Sequence, residues 1–368
     1  MYFIYLLLLL PAFIFSQNIQ YKSEDANISV EKIASNLGLV WGMTFISDDK
    51  LLFTVKSGKI GVLNTKTKEV KYLLNIPNVS SLGQGGLLDV QKSPNFSKDN
   101  QLYFTYVKDI KGDATTVLAS AKLENDKLIN WKDLFISEAF SDTTRHFGSR
   151  ITFDKKSHLF FSIGDRGIRE NSQDLSNHAG TIIRLNLDGS IPNDNPFINE
   201  KNALPQIYSY GHRNPQGLFY DKKSEKLWSI EHGPRGGDEI NLIEKGKNYG
   251  WPIISYGKEY WNDFNVGEST HKEGMQQPIK YYVPSIAPSS LIVYDGELFK
   301  NWKGNLFSGA LKLMHLNRIV LDKNNNVIKE ERLLEELNQR IRNVIESSNG
   351  KLYISTDSGN IYMISSKS

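Results

Sequence analysis

The sequence contains no cysteine among its 368 residues. Disulfide bonds are therefore excluded, and so are thiol nucleophiles and zinc sites built from thiolates. An exported protein of this composition must hold its fold by core packing and by bound metal rather than by covalent cross-links.

The sequence also lacks any concentration of charge of one sign. Its formal net charge is +3, and the 44 basic and 41 acidic residues are spread along the chain. Nucleic acid and anionic membrane surfaces are not favoured as partners, because both are recognised by clustered basic residues. The length suffices for one large domain or two ordinary ones, with ample apolar material for a core.

Only one stretch of the chain is long and apolar. It covers 2–15, is interrupted by Pro11 and is followed by polar residues at 16–18. This length suits the apolar core of a signal peptide better than a membrane span, although the usual basic residue near the start is missing. We predict a signal peptide at 1–16, and a single domain at 17–368 that is periplasmic or secreted, with no stable membrane insertion after cleavage. An uncleaved anchor is the alternative, and it would also leave the domain outside the cytoplasm.

Long helical periodicity is absent from the rest of the chain, apart from a brief helical pattern at 329–337. Instead, a pattern of apolar strand, polar turn and leucine-led strand recurs six times. The copies lie at 43–55, 97–106, 151–162, 218–230, 302–309 and 344–355. The leucine-led strands begin roughly 45 to 80 residues apart, about the length of a four-stranded blade plus variable loops. The pattern predicts an all-β fold, a six-bladed β-propeller of four-stranded antiparallel blades, in preference to a sandwich with its shorter turn spacing.

Glycine and proline recur through the stretch 210–252, among Arg, Asn, His, Asp and Glu residues. A backbone of this composition does not form regular β-strand pairs, so its carbonyl groups and side chains are free to contact a ligand. The oxygen donors here belong to Gly233, Pro234, Asp238, Glu239 and Tyr249. An oxygen-only set indicates Ca²⁺ rather than zinc, with an ordinary turn as the alternative.

Histidine and arginine supply the candidates for catalysis. His146 precedes the third strand pair, and its unperturbed pKa of about 6.5 suits a general base at neutral pH. A structural role is the alternative, and six other histidines compete with it. Arg213 places a planar donor fork next to Asn214, a combination suited to a carboxylate or a developing oxyanion.

Arg340 and Arg342 project from one face of a strand. Like charges placed in this way are unfavourable unless an anion lies between them. We therefore favour ligand binding over a solvated strand edge.

Three further segments are candidates for binding. The glycines around Gln84 could permit close approach of a flat ligand, but the segment lacks GxGxxG spacing, and tight-turn geometry alone is the favoured explanation. Loops 180–197 and 255–277 are long for a compact domain. Such loops are usually lids or binding elements, with disorder as the alternative.

Eight motifs occur along the chain in the order of a known family. They are GQGGL at 83–87, RHFGSR at 145–150, GHRNPQG at 211–217, EHGP at 231–234 with DEIN at 238–241, NYGWP at 248–252, PSIAPS at 284–289, GALK at 309–312 and RIR at 340–342. From Trp41 to the C-terminus, the chain resembles the soluble aldose sugar dehydrogenases that use pyrroloquinoline quinone, the glucose/sorbosone dehydrogenase family.

The resemblance implies a six-bladed propeller with the quinone across the channel mouth, which oxidises an aldose at its anomeric carbon to a lactone. His146 would be the general base that removes the hydroxyl proton as hydride passes to the quinone, and Arg213 would stabilise charge at the reacting carbonyl. The implied cofactor-binding residues are Gln84, Arg213, Asn214, Tyr260, Leu311, Lys312, Arg340 and Arg342.

The resemblance also implies two calcium sites. Backbone carbonyls of Gly233 and Pro234 would hold a Ca²⁺ that polarises the quinone carbonyl as a Lewis acid. Glu239 and Tyr249 would belong to a second, structural Ca²⁺ site.

Loop 255–277 departs from the family's pattern, so the preferred sugar stays open, as does the external electron acceptor. Two other functions remain. A metal-dependent lactone hydrolase would need side-chain carboxylates around a metal at the channel centre and would have no use for Lys312, Arg340 and Arg342. A non-catalytic propeller would bind carbohydrate or protein, since fold alone does not give function.

Overall fold

A computed structural model describes residues 19–74 and 78–367, so the predicted signal peptide at 1–16 lies outside the described residues. Within these ranges, helix is limited to α1 (Phe96–Asp99) and short 3-10 helices at Arg169–Gln173, Lys300–Trp302 and Glu335–Leu337. None of these described helices is long and apolar enough to cross a bilayer.

The strands form six antiparallel sheets, which we call blades. The chain begins with β1 (Ile19–Lys22) and β2 (Asn27–Ala34). Blade 1 contains β3 (Val40–Phe45), β4 (Lys50–Val55), β5 (Lys59–Asn64) and β6 (Val70–Tyr72). Blade 2 contains β7 (Leu87–Lys92), β8 (Gln101–Ile110), β9 (Asp113–Glu124) and β10 (Lys127–Ile136). Blade 3 contains β11 (Ile151–Phe153), β12 (Leu159–Ile163), β13 (Thr181–Leu185) and β14 (Ile207–Tyr210).

The second half of the ring follows the same order. Blade 4 contains β15 (Pro215–Asp221), β16 (Lys226–Glu231), β17 (Asp238–Ile243) and β18 (Lys280–Tyr282). Blade 5 contains β19 (Ile292–Val293), β20 (Leu306–Gly309), β21 (Leu316–Leu321) and β22 (Val327–Leu333). Blade 6 contains β23 (Ile341–Glu346), β24 (Leu352–Thr356) and β25 (Ile361–Ser366).

Blade 6 closes the ring with strands from both ends of the chain. Its order is β1-β2-β25-β24-β23, and β2 pairs with β25 in a register that places Val30 opposite Ile364. The first strands of the blades contact one another in a closed circle from β3 through β7, β11, β15, β19 and β23 back to β3. The prediction of a six-bladed propeller of four-stranded blades is confirmed, with β1 added outside β2.

The apolar core lies between neighbouring blades rather than on the ring axis. One cluster joins Phe307 and Leu316 of blade 5 to Val344 and Ile354 of blade 6, with Trp302 fully buried beside them. The inner faces of successive sheets pack in the same manner around the ring. This packing leaves the axis for polar groups.

Arg150 crosses that axis. Its guanidinium donates to Asp89 Oδ1 at 2.9 Å, to the Gln216 carbonyl at 3.1 Å and to the Ser289 carbonyl at 3.0 Å. It also lies 4.1 Å from the ring centroid of Trp41. A single side chain therefore touches segments of blades 1, 2, 4 and 5 from its position at the start of blade 3.

Two details of the sequence interpretation are wrong. The polar turn predicted before β8 at 97–100 lies largely in α1. The brief helical pattern at 329–337 belongs mostly to β22, with a 3-10 turn at Glu335–Leu337 after it. There, antiparallel pairing with β21 determines the conformation, and local propensity does not.

Candidate active site

A first cavity, of about 290 Å³, lies where the first strands of the blades begin. It gathers five of the predicted cofactor-binding residues, namely Gln84, Asn214, Leu311, Arg340 and Arg342. Its lining also includes Lys56 and Asp357, which the sequence interpretation did not single out. Three cationic side chains therefore surround one carboxylate, which leaves the cavity suited to an anionic ligand.

The anion between the two arginines is a residue of the chain itself. Asp357 accepts from Arg340 Nε at 2.8 Å and from Arg342 Nε at 2.7 Å. Although burial alone would raise the pKa of Asp357, the charges and hydrogen bonds of both arginines lower it. Their pairing on one strand face therefore does not require an external ligand, contrary to the reasoning from the sequence.

His146 directly precedes Phe147 and Gly148, which line this cavity, and it forms a buried pair with Asp165. The His146 Nδ1 and Asp165 Oδ1 atoms are 2.6 Å apart, and the two side chains are 11% and 1% exposed. Asp165 also accepts from the Trp251 indole nitrogen at 2.9 Å and from the Gly167 amide at 2.7 Å. The carboxylate holds the proton of the imidazole on Nδ1, which leaves Nε2 as the basic nitrogen.

Electrostatics keep this imidazole neutral. Burial is the largest effect on the pKa of His146 and lowers it, Asp165 opposes this by hydrogen bonding and charge, and Arg213 and Arg145 lower it further. The net direction is downward. A neutral histidine in this setting is ready to accept a proton at neutral pH.

Unusual backbone conformations bring the two residues together. His146 has a φ of 58°, in the left-handed region where a residue with a side chain is uncommon. Opposite it, Gly164 approaches so closely that a Cβ there would lie 2.3 Å from the His146 carbonyl oxygen. Glycine at 164 is therefore needed for Asp165 to reach the imidazole ring.

Arg213 is held beside this pair by the end of blade 4. Its amide donates to Glu231 Oε2 at 2.7 Å, and its Nη1 donates to the Gly233 carbonyl at 2.7 Å. Its Nη2 lies 3.5 Å from the Tyr260 hydroxyl. The buried Arg213 Nε has no hydrogen-bond partner among the described residues. A donor left in this way is available to a ligand.

Asn214 faces the first cavity with its amide. Its Oδ1 accepts from the Gly148 amide and from Gln216 Nε2, both at 3.2 Å. Gln84 is linked to the catalytic candidate directly, since its Oε1 accepts from the His146 amide at 2.8 Å. The predicted base and the predicted cofactor residues therefore belong to one connected network.

The segment predicted to bind the first Ca²⁺ is packed tightly. The Gly233 carbonyl faces Arg213, and the Gly233 amide donates to Asp238 Oδ1 at 2.9 Å. Asp238 Oδ2 accepts from Ser285 Oγ, Ile286 N and Ala287 N. The Asp238 carboxylate is thus used to join two loops, and the carbonyl oxygens of Gly233 and Pro234 remain the candidate ligands.

The second predicted metal site contains two adjacent carboxylates. Glu231 and Glu239 are opposite each other across β16 and β17, and Asn241 Nδ2 donates to both, at 3.3 and 3.2 Å. Burial raises the pKa of Glu239 to about 8, and the charge of Glu231 adds to the shift. The buried Asn241 Oδ1 has no partner in the described chain. An oxygen-rich site of this kind fits a hard cation.

The side chain of Tyr249, the other residue predicted for the second metal site, is already engaged within the chain. Its hydroxyl donates to the Leu242 carbonyl at 2.6 Å and accepts from the Glu244 amide at 2.8 Å. Its ring stacks on His212 with centroids 4.7 Å apart. The side-chain oxygen is therefore already used, so the Tyr249 carbonyl is the oxygen that remains a candidate ligand.

Loop 255–277 is attached to the site rather than separate from it. Glu259 accepts two hydrogen bonds from Arg169, at 2.6 and 2.7 Å. The Arg169 guanidinium lies 5.6 Å from the Trp251 ring, whose indole nitrogen bonds to Asp165. The loop nevertheless presents exposed aromatic rings, with Tyr260 60% and Trp261 72% exposed.

The structure does not bring every predicted residue together. Lys312 is exposed and is not part of the first cavity's lining. His232 does line it, but its Nε2 donates to the Pro288 carbonyl at 2.6 Å, and burial lowers its pKa to about 3. His232 is therefore a neutral ring and not a second base.

Asp165 is the main residue that the sequence interpretation missed. The available signal was its place in the turn Gly164-Asp165-Arg166-Gly167, directly after the fully buried strand β12. A carboxylate in a glycine-flanked turn at a strand end is a recurrent position for functional residues.

Comparison with known proteins supplies the family. A sequence model of the family described as glucose/sorbosone dehydrogenase matches residues 37–363. The chain is 37% identical over 350 residues to the aldose sugar dehydrogenase YliI of Escherichia coli (strain K12), which covers 92% of this chain and 93% of that protein.

Solved structures agree with the sequence match. The apo form of the soluble aldose sugar dehydrogenase of Escherichia coli superposes with a TM-score of 0.89 at 34% identity, covering 92% of this chain and 100% of that one. The PQQ-bound aldose sugar dehydrogenase of Streptomyces coelicolor gives a TM-score of 0.77 at 26% identity, covering 93% and 99%.

Proposed function

Because the chain belongs to the glucose/sorbosone dehydrogenase family, we propose that it oxidises aldose sugars at the anomeric carbon to lactones, using pyrroloquinoline quinone and Ca²⁺. We place it in the periplasm or outside the cell, where an external acceptor takes the electrons. The observation that carries this proposal is the buried His146–Asp165 pair, which is joined to the cationic cavity by the hydrogen bond from the His146 amide to the lining residue Gln84.

The residues present suit the quinone. A tricarboxylate ligand needs cations, and Lys56, Arg340 and Arg342 line the first cavity with Asp357 as the counterion. Gln84, Asn214 and Leu311 would contact the ring system, and the unpartnered Arg213 Nε offers a donor beside it. When bound, the quinone supplies the two-electron acceptor for the reaction.

The proton is handled by His146. Its Nε2 takes the proton of the anomeric hydroxyl, and the resulting imidazolium is stabilised by Asp165 at 2.6 Å. Trp251 and the Gly167 amide hold the carboxylate in place, so the ring cannot turn away from the substrate. General-base catalysis of this kind contributes roughly 10² to 10⁴ in rate.

Arg213 provides positive charge next to the base. It stabilises negative charge that develops on an oxygen during the reaction, an effect that is large in a site shielded from water. Carbonyl oxygens of Gly233 and Pro234 would hold a Ca²⁺ acting as a Lewis acid, and Glu239 with the Tyr249 carbonyl would hold a structural Ca²⁺.

The alternative of a lactone hydrolase finds less support. Asp89, the carboxylate that lies on the ring axis, is bound to Arg150 and to the Ile151 amide. A carboxylate engaged in this way is a poor metal ligand. A propeller that only binds carbohydrate would not need a buried pair with a neutral imidazole.

The proposal is tested by reconstituting the purified protein with pyrroloquinoline quinone and Ca²⁺ and measuring sugar-dependent reduction of an artificial dye. We expect dye reduction with at least one common aldose and bleaching of the quinone absorbance. His146→Ala should lower turnover by about 10² or more while quinone binding persists.

Each alternative gives a different result in these assays. Lactone hydrolysis by protein free of quinone would favour the hydrolase. Sugar binding without dye reduction by the reconstituted protein would favour a binding propeller. Near-normal turnover of His146→Ala would remove His146 as the base but leave the dehydrogenase activity intact.

A further inference from the structure

Arg166 directly follows Asp165 and is a buried cation to which the proposed reaction gives no role. Its side chain is fully buried. Among the described residues its guanidinium has no carboxylate within 4 Å, whereas Arg150, Arg169 and Arg184 each form an ion pair. Because a buried charge without a counterion is costly, its position requires an explanation.

The guanidinium of Arg166 is bound to backbone oxygens instead. Its Nη1 donates to the Arg145 carbonyl, and its Nη2 donates to the Thr143 carbonyl at 2.9 Å. The same Nη2 lies 3.3 Å from the carbonyl of Ala114 in β9. Burial lowers the pKa of Arg166 to about 10 although the charge of Asp165 raises it, so the donor fork stays complete at neutral pH.

Arg166 also contacts the residue that follows His146. Its guanidinium carbon lies 3.5 Å from the ring centroid of Phe147, a cation–π contact. In return, the Thr143 hydroxyl donates to the Arg166 carbonyl. Arg166 therefore contacts the chain on both sides of His146.

The segment 143–147 needs such contacts because of its backbone. His146 has a φ of 58° and Arg166 a φ of 57°, both in the left-handed region. A residue with a side chain stays in that region only where its surroundings hold it there. The Thr144 carbonyl accepts from the Gln84 amide at 2.8 Å, and the two carbonyls next to it, those of Thr143 and Arg145, accept from Arg166.

From these contacts, we propose that Arg166 is a positioning residue for the reaction, an inference that rests on the proposed function with His146 as the base. Two adjacent residues divide the task. Asp165 holds the imidazole ring, and Arg166 holds the backbone that carries it. Nε2 of His146 is thereby kept directed at the sugar.

Arg166→Met tests the proposal, because it keeps an unbranched side chain but removes the charge and every donor. We expect kcat per bound quinone to fall about tenfold or more, since a small displacement of a catalytic group is costly. The KM for an aldose and the affinity for pyrroloquinoline quinone should change little, because Arg166 is not part of the first cavity's lining.

Arg166→Lys is the conservative variant. It keeps the positive charge but replaces the planar fork by a single ammonium, which cannot bind the same three carbonyls in the same geometry. It should recover only part of the lost rate. It also carries the test if Arg166→Met does not fold.

A second readout needs neither quinone nor activity. NMR of quinone-free protein with isotope-labelled histidine reports the tautomer of His146, whose signal is assigned by its loss in His146→Gln. In the parent protein, we expect the proton on Nδ1, facing Asp165. In Arg166→Met, this single tautomer should give way to a mixture, because the ring is no longer aligned with the carboxylate.

Arg184→Met is the matched control. Arg184 is a buried arginine of the same blade, and its guanidinium lies 5.9 Å from the Phe160 ring and donates to Asn195. Its loss removes similar contacts away from the site. Arg184→Met should keep the parent's kcat per bound quinone and the parent's tautomer at His146, with thermal unfolding used to confirm that each variant is folded.

Three results would overturn the proposal. They are a kcat of folded Arg166→Met or Arg166→Lys within about twofold of the parent's, an unchanged tautomer at His146 in these variants, and an equal loss of rate in Arg184→Met. A parent protein that oxidises no aldose would instead refute the proposed function, and the tautomer measurement would still decide whether Arg166 positions His146.

Discussion

At the scale of single residues, two opposing effects act on His146. Burial and two nearby arginines favour the neutral ring, whereas Asp165 favours the charged one, and the net pKa is lowered. The neutral base therefore persists to a lower pH than an ordinary histidine would allow. In the proposed reaction, the pH at which the rate declines on the acid side of the pH–rate profile should therefore be lower than the usual pKa of histidine.

Replacing Asp165 with Asn tests its role as a positioning residue. We expect turnover at the pH optimum to fall by about 10² or more, because the ring loses the partner that fixes its tautomer. The acid side of the profile should move to lower pH, since removing the carboxylate lowers the pKa of His146 further. The measurement is kcat against pH.

Asp142→Asn serves as the control, because Asp142 is an exposed carboxylate in the preceding loop. It should leave both the rate and the profile unchanged. A profile for Asp165→Asn that moves toward higher pH would contradict the assigned pairing.

Sequence reasoning reached His146 but not its partner for a physical reason. His146 lies within a motif that can be seen in the chain, whereas its contact with Asp165 depends on the left-handed backbone of His146 and on the close approach of Gly164. Asp357 was missed for a similar reason. The shared strand face of Arg340 and Arg342 was predictable, but the position of the Asp357 carboxylate between them was not.

At the scale of elements, the β16–β17 pair carries an unfavourable charge arrangement. Glu231 and Glu239 face each other, and the pKa of Glu239 rises from 4.5 to about 8. Between these pH values, the folded chain keeps a proton that the unfolded chain has lost. Without bound cation, the free energy of unfolding should therefore decrease as the pH rises from about 4.5 to about 8.

Thermal unfolding of metal-free protein across that pH range checks this expectation. The decrease should be at most about 1.4 kcal/mol per pH unit. Added Ca²⁺ should reverse it at the alkaline end, because a cation binds the ionised pair. In Glu239→Gln, both the pH dependence and the calcium effect should shrink; an unchanged calcium effect would argue against this site.

The blade pattern shows which elements a sequence can predict. The first two strands of each blade pair locally, so alternation and turn residues identify them. The outer strand β22 has the sequence VIKEERL and few buried residues. Its run of charged residues is a pattern that is also typical of a helix. Its pairing with β21 comes from the assembled blade.

At the scale of the whole molecule, Arg150 joins the blades at the ring axis. Arg150→Met should lower the free energy of unfolding by about 3 to 5 kcal/mol, because the fully buried Asp89 would lose its partner. The double variant Arg150→Met/Asp89→Asn should be less destabilised than the sum of the single variants. Denaturant unfolding of the four proteins measures this coupling.

Additive effects in that cycle would show that the ion pair contributes no coupling. The comparison also separates two roles of Arg150, since its bonds to the Gln216 and Ser289 carbonyls are lost in both Arg150 variants. Only the cost of the unpaired carboxylate is relieved in the double variant.

The pairing of β2 with β25 sets an order of events in time. Blade 6 takes one strand from residues 27–34 and another from 361–366, so its sheet cannot be completed until residues 361–366 have been synthesised. Blades 1 to 5 are each built from consecutive strands and can form earlier. Until the last strand arrives, the faces of blades 1 and 5 that pack on blade 6 stay open to water, and the unfinished ring is exposed to aggregation and proteolysis.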